Sequence, residues 1–423
     1  MRFSVFLTFT ELDPARNGDT LFADHLEQAK LADRLGYDAI SIPEHPLVHL
    51  MKAPHALINA VAIGQHVRCE VGVAVIVLPL HHPLSLAGQI AAADQALGGR
   101  LVVGVGRGAY RYEFDRYGVD FGTSRARLAE SLGILEKIWH SPQEAISHCG
   151  EYWSFPDTYV WPRPVQRPHP PIWVAGQTAA TIEWAVDHGY NVLNALMRRP
   201  DSVVAEIARV FHDRRESLGL DRGEVKLGIS RPTFVTDDPE RVRRRIEENQ
   251  TLHKIHTHMH NFTEHADRRS YVPPLPVPDL PTPEVIASGI LLGPADRILE
   301  RVERYHELGI DELTVGMGYG APHTETMESL QDFAENVVAP YRKAHGLAVT
   351  RDGRDRITTI RAAALHRREQ AVPGPDGAAG DGVAGTVTSY VTSKAWFRLA
   401  LHRTGVGPGP AVMLIHDLSL IHI

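Results

Sequence analysis

The chain has 423 residues, 43% of them hydrophobic, and a formal net charge of −7 from 44 Lys and Arg against 51 Asp and Glu. It is long enough for one large barrel with insertions, and an acidic balance without long basic runs argues against nucleic acid as the main partner. No apolar run approaches the roughly 20 residues that span a bilayer, and two scattered cysteines, Cys69 and Cys149, fit a reducing, cytoplasmic compartment without a disulfide framework.

Strand and helix patterns alternate from the N-terminus. Phe3 to Phe9 predicts a strand, Leu21 to Leu35 an amphipathic helix stopped at Gly36, and Tyr37 to Ile42 a second strand. Pro54 to Gln65 predicts a helix with proline in its first turn, where a missing N–H costs least. Val71 to Leu78 is the third strand and Leu84 to Leu97 the helix after it. The fourth strand is the most informative. Leu101, Val102, Val103 and Val105 read as a strand covered on both faces, running straight into Gly104, Gly106 and Gly108 around Arg107. Glycine lets backbone approach a ligand closely, and a guanidinium suits phosphate, so a cofactor site is expected at this strand end.

Leu128, Leu132, Leu135 and Trp139 share one helical face, with Thr123 or Ser124 as the cap. The aromatic, proline-rich stretch from Gly150 to Pro170 predicts a hairpin or an extended arm. Strands follow at Pro171 to Ala175, Tyr190 to Leu193, Val225 to Val235 and Glu312 to Val315. Helices are predicted at Thr178 to His188, Ser202 to Leu218, Pro239 to about His258, Ala295 to Leu308 and Met327 to His345, with the proline-rich run Val272 to Pro283 between the third and fourth. Eight strand–helix units predict an α/β TIM (β/α)8 barrel over residues 1–348, with insertions after strands four and seven. The count, and the missing GxGxxG in the first strand–helix turn, disfavour an open doubly wound sheet. Residues 349–423 are expected to be a disordered or artefactual tail: Val372 to Gly385 is linker-like, and Leu418 to Ile423 continues no pattern.

Barrel chemistry sits where strands end. Those ends carry Thr8, Phe9 and Thr10, then Glu44 and His45, His81 and His82, Arg107 and Tyr110, Gly176 to Thr178, Asn194, and Ser230 and Arg231. An imidazole at position 45 can move a proton near neutral pH. Thr178 reads as a helix cap, and the same amides suit a phosphate. Leu292 to Pro294 is a weaker phosphate candidate, and Phe9, Tyr110, Trp161 and Asn194 are candidate pocket walls. His253, His256, His258, His260 and His265 do not share one helical face and lack a completing motif, so no metal site is expected there and a solvated lid segment is.

These residues together resemble the bacterial luciferase-like flavin monooxygenases, and most closely the luciferase alpha subunit. The match is carried by Glu44-His45, by Val71 to Pro79 leading to His82-Pro83, and by Asp94-Gln95 before Gly99-Arg100. It continues through Gly104 to Tyr110, Ser124-Arg125-Ala126, Trp173 to Gly176, Thr181 to Trp184, and Leu330 to Pro340. It covers roughly residues 1–345. The resemblance implies a TIM barrel that binds reduced FMN from a separate flavin reductase and activates O2 to oxygenate a small organic substrate, as a homodimer. It implies that His45 is catalytic, with Glu44 beside it. Arg107 falls on the flavin phosphate, with Tyr110 as a neighbouring contact, and Gln177, Thr178 and Thr181 fall on the phosphate-binding turn. There Gly176-Gln177 replaces the family's glutamate–serine pair. Ala74–Val75 matches a bond that is cis in the family. Gly106 stands where luciferase has a reactive cysteine, so light emission is not implied and a roomier pocket beside the flavin is expected. A deazaflavin-dependent oxidoreductase of the same fold, a non-catalytic flavin-binding protein and a half-active partner in a heterodimer are the competing readings. The segment from Asp237 to Gly293 is expected to be a mobile lid.

Overall fold

Short, nearly continuous apolar strands can bury both faces only if something closes around them. In a computed structural model that describes residues 1–347 apart from 14, 16, 17, 142 and 262–264, together with 389–392 and 398–401, they close on themselves. β1 (Arg2–Phe6) is followed by α1 (Leu21–Leu35), β2 (Ala39–Ile42), α2 (Ala56–Gly64), β3 (Glu70–Val77), α3 (Pro83–Ala96) and β4 (Leu101–Gly106). Then come α4 (Arg111–Tyr117), α5 (Ser124–His140), the strands β5 (Ile146–Cys149) and β6 (Ser154–Thr158), and β7 (Ile172–Ala175). Next are α6 (Ala179–Asp187), β8 (Asn191–Ala195), α7 (Asp201–Ser217), β9 (Leu227–Val235), α8 (Pro239–Asn261), α9 (Pro283–Gly289) and β10 (Leu291–Gly293). α10 (Ala295–Glu307), β11 (Glu312–Gly316), α11 (His323–Phe333) and α12 (Ala339–Ala344) complete the domain.

The barrel order is β1-β2-β3-β4-β7-β8-β9-β11, with β11 back on β1 and every pair parallel. Its interior and the helix-facing layer form one apolar cluster from Phe3 to Tyr341. The predicted TIM barrel is therefore the fold, and β5 and β6 pair antiparallel as the predicted hairpin arm.

Four local features depart from the sequence reading. The first strand stops at Phe6 instead of Phe9, because the chain turns at Phe9 with φ 49. There the Phe9 amide donates to His25 Nε2 at 2.9 Å and its ring stacks on that imidazole at 4.2 Å, so Phe9 is packing. Trp161, a candidate pocket wall, is 73% exposed. α4, α9 and β10 were not predicted: each has seven residues or fewer, too short for a helical or strand period to register. The closing helix is interrupted by a π-helical stretch, Ala334–Val338.

The strands next to the glycine loop approach closely. The Ala74–Val75 bond is cis, and the β3–β4 register shifts between Val73 and Ile76. A Cβ at Gly104 would strike the Val73 carbonyl oxygen, and one at Gly106 would sit 2.7 Å from Val75 Cγ2. The expected roomier pocket at position 106 is thus corrected, since Val75 fills that space. Gly104→Ala should cost about 1–3 kcal/mol of stability through overpacking, read by denaturant unfolding. An unchanged midpoint would remove this reason for the glycine.

The chain divides into units 1–365 and 366–423. The second holds an antiparallel pair, β12 (Ser389–Thr392) and β13 (Arg398–Leu401). The linker-like stretch 372–385 and the ending 418–423 lie outside the described residues.

Candidate active site

The loop after β2 and the first turn of α4 bring His45 and Glu113 together at the carboxyl end of the barrel. His45 Nδ1 lies 3.3 and 3.4 Å from the two Glu113 carboxylate oxygens. The Glu113 side chain has no exposure, and His45 keeps 17%. Burial pushes the Glu113 carboxyl up, and the imidazole beside it pulls it back down. When the carboxylate accepts the Nδ1 proton, the tautomer is fixed and Nε2 is left as the atom that exchanges a proton. The Tyr110 ring stands 4.8 Å from the His45 ring. It is buried, and burial pushes its phenol up, so it stays protonated.

Glu44 precedes His45 in sequence but is committed elsewhere. Its carboxylate accepts from the amides of Val77 at 3.0 Å and Ala56 at 3.4 Å, and from His81 Nε2 at 2.7 Å. It therefore ties the β2 loop to the end of β3 and the start of α2. The acid that touches His45 is Glu113.

Neighbouring strand ends supply positive charge. The Arg107 guanidinium lies 5.3 Å from the Phe121 ring centroid. Partial burial and the cation of Arg125 push its pKa down, and among the described residues no carboxylate pairs with it. Two guanidinium groups held near each other, with no ion pair to either among the described residues, fit a dianion. One strand over, Thr178 caps α6: its Oγ1 accepts from the Thr181 amide at 3.3 Å and meets Thr181 Oγ1 at 2.9 Å. Gln177 donates to the Ala195 carbonyl at 3.2 Å, and the Asn194 side-chain amide donates to the Gly176 carbonyl. The exposed first turn of α6, with its amides and two hydroxyls, is a second anion-ready feature. The cis bond Ala74–Val75 and Gly106 lie between this turn and His45, on adjacent strands.

α8 packs down on the barrel mouth. Leu252, Ile255, Met259 and Val272 form a second apolar cluster with Val48, Leu50, Met51, Tyr110 and Tyr319. His256 and His258 are buried, at 9% and 7% exposure. This corrects the expectation of a solvated histidine segment for those two: Leu252, Ile255 and Met259 define an inward face that carries His256 with it, while His253 and His265 are half-buried and His260 is exposed. Among the described residues, no group of three or more His, Cys, Asp or Glu side chains could hold a metal ion. Among them also, no helix is long and apolar enough to cross a membrane.

Ion pairs fasten α8 to α11 on its other side, Arg244 to Glu325 at 3.2 Å and Arg245 to Glu325 at 3.6 Å, and Arg245 also meets Glu248 at 2.8 Å within the helix. Burial nevertheless pushes the Glu248 carboxyl up to about 7. Its folded pKa lies above the ordinary carboxyl value, so its contribution to stability is complete at acid pH and is lost as pH rises through 7. Between pH 6 and 8 the chain should lose about 1 kcal/mol relative to Glu248→Gln in denaturant unfolding. Parallel pH curves for the two proteins would refute this.

Residues 1–312 match the family described as luciferase-like monooxygenase. The chain belongs to that family. It is 28% identical, over 81% of its length and 96% of the relative's, to the oxygenase component of a flavin-dependent trigonelline monooxygenase from Acinetobacter baylyi. An alkanal monooxygenase alpha chain from Photorhabdus luminescens is 25% identical over 56% of this chain and 65% of that one. Among solved structures, a monooxygenase from Streptomyces bottropensis gives a TM-score of 0.68 at 23% identity, covering 81% of this chain and all of that one. The oxygenating constituent of 3,6-diketocamphane monooxygenase from Pseudomonas putida, solved with FMN, gives 0.64 at 21% identity, covering 80% and 98%. These structures share the barrel.

On this luciferase-like barrel, the expected residues His45, Ala74, Val75, Gly106, Arg107, Tyr110, Gly176, Gln177, Thr178 and Thr181 all fall at the carboxyl ends of β2, β3, β4 and β7. Glu113 was missed. Its signal was an acid three residues after Tyr110, which reads equally as a charge in the first turn of a helix. Arg198 was missed as well. It follows β8 and donates from Nη2 to His256 Nδ1 at 3.1 Å.

Proposed function

We propose that this luciferase-like protein is the oxygenase component of a two-component flavin monooxygenase, taking reduced FMN from a separate flavin reductase and oxygenating a small organic substrate with O2. The single observation that carries the reading is the His45–Glu113 pair, set at the same barrel mouth as Arg107 and Arg125, whose charges act on each other. The name of the 28% identical relative, an oxygenase component, supports the division of labour with a reductase.

The donor set fits FMN. Arg107, Arg125 and the first turn of α6, with Gly176, Gln177, Thr178 and Thr181, would hold the phosphate. Ala74, Val75 and Gly106 offer bare backbone and small side chains to a flat ring, and Tyr110 flanks it. When bound, the reduced flavin supplies the electrons that activate O2. His45 then holds or moves a proton at Nε2, and Glu113 positions that imidazole. α8 and its apolar cluster exclude water. Glu44 anchors the loop that carries His45. A cytoplasmic homodimer is the assembly we expect, checked by mass measurement of the purified protein.

The test is a titration with FMN and a deazaflavin, oxidised and reduced, followed by O2 uptake with a reductase and a substrate panel. Preferential FMN binding and substrate-dependent O2 uptake are expected. Deazaflavin binding in place of FMN, with turnover independent of O2, would overturn the proposal in favour of hydride transfer.

A further inference from the structure

Among the described residues, Arg198 is a buried cation that no carboxylate meets. It is 8% exposed, and both neighbours fix its backbone. Met197 before it holds φ 50, an unusual conformation for a non-glycine residue. Gly289 of α9 lies against the Arg198 carbonyl, where any Cβ would collide. Of the guanidinium donors, Nη2 is used by His256 Nδ1. Nε and Nη1 are buried and meet no acceptor among the described residues. The charge partners of Arg198 are the phenols of Tyr110 and Tyr319. Burial keeps both protonated, pushing Tyr319 up to about 12, so they offer hydroxyls rather than negative charge. Burial in turn pushes Arg198 down to about 10, which leaves it charged at neutral pH.

His256 cannot neutralise it either. Its Nδ1 accepts from Arg198, so its proton sits on Nε2, and burial and the arginine together hold its pKa well down. A buried charge of this kind is costly unless an anion meets it. The place where an anion could arrive is defined by rings: Tyr110 stands 6.2 Å from His256 and 4.8 Å from His45. Arg198 is thus linked to the proton-transfer imidazole through two aromatic rings, on a strand end separate from the arginine pair that suits phosphate.

We propose that Arg198 anchors a carboxylate of the substrate, so that the enzyme acts on organic acids whose apolar body lies against Tyr110 beneath α8. Nε and Nη1 supply charge-assisted hydrogen bonds, and the neutral His256 holds the guanidinium in place. This deepens the flavin-dependent reading and rests on it for what becomes of the acid. The binding step stands independently.

The test is calorimetric titration of the full chain, with and without saturating FMN, using benzoate and hexanoate against benzamide and hexanamide. The acids should bind at least about tenfold more tightly than the amides, the range for hydrogen bonds to a charged group. Arg198→Gln should abolish that preference and Arg198→Lys should keep part of it, with FMN affinity within about twofold in both. Should Arg198→Gln fail to fold, the acid-to-amide ratio of the parent protein and its reduction in Arg198→Lys decide the matter. Equal binding of acids and amides, or binding of neither, overturns the proposal. So does a loss of FMN affinity in Arg198→Gln with the acid preference intact, because the guanidinium then serves the cofactor. Acid preference in a chain that binds no FMN would instead remove the flavin reading and leave the anion site standing.

Discussion

Replacing His45 by alanine is expected to lower kcat by roughly 10²–10⁴-fold, the contribution of a positioned general acid or base, while reduced FMN binds as before. The separation of the two effects follows from the layout. His45 is held by Glu113 and Tyr110, whereas Arg107 meets Phe121 after β4 and Thr178 meets Thr181 after β7. Glu113→Gln keeps an acceptor for the Nδ1 proton but removes the charge that stabilises an imidazolium. It should cost on the order of tenfold in kcat, with no change in FMN affinity. Stopped-flow turnover and flavin titration of the two variants check this together. A His45→Ala enzyme that turns over at the parent rate would strip the imidazole of its role. A Glu44→Gln variant gives the contrast: its carboxylate holds two backbone amides and His81, so its loss should appear as lowered stability first.

The second large effect concerns the arginine pair. Arg107→Ala should weaken FMN binding by about 1.5–3 kcal/mol, the value of a hydrogen bond to a charged group. Arg125→Ala should give a loss of the same order, and the double variant at least about a hundredfold loss of affinity. The two charges press on each other, so removing one relieves repulsion in the free protein and the double loss falls short of the sum. Riboflavin, which lacks the phosphate, supplies the control: its affinity should not respond to either substitution. Equal losses for FMN and riboflavin would move the arginines away from the phosphate.

Much of the barrel was legible because its signals are local. Val71 to Val77 and Leu101 to Val105 announce covered strands by composition alone, and Gly36, with φ 83, stops α1 as a glycine after a helix should. The glycine loop around Arg107, His45 after β2 and Thr178 at the start of α6 were likewise visible, since strand ends and helix caps are properties of a few neighbouring residues. Short elements failed the same criterion. α4 and α9 have seven residues each, and Pro283 opens the second.

By itself the sequence determined the alternation of strands and helices, hence the barrel, and the presence of an imidazole, a guanidinium and a helix cap where strands end. Only the tertiary structure decided how those groups are partnered. Glu113 meets His45 across 68 positions and His256 meets Arg198 across 58, and folding placed Val75 in the space above Gly106. Hydrophobic periodicity is written along the chain and can be read along it. Which acid neutralises which base depends on burial and on distance in space, and those quantities exist only once the strands have closed.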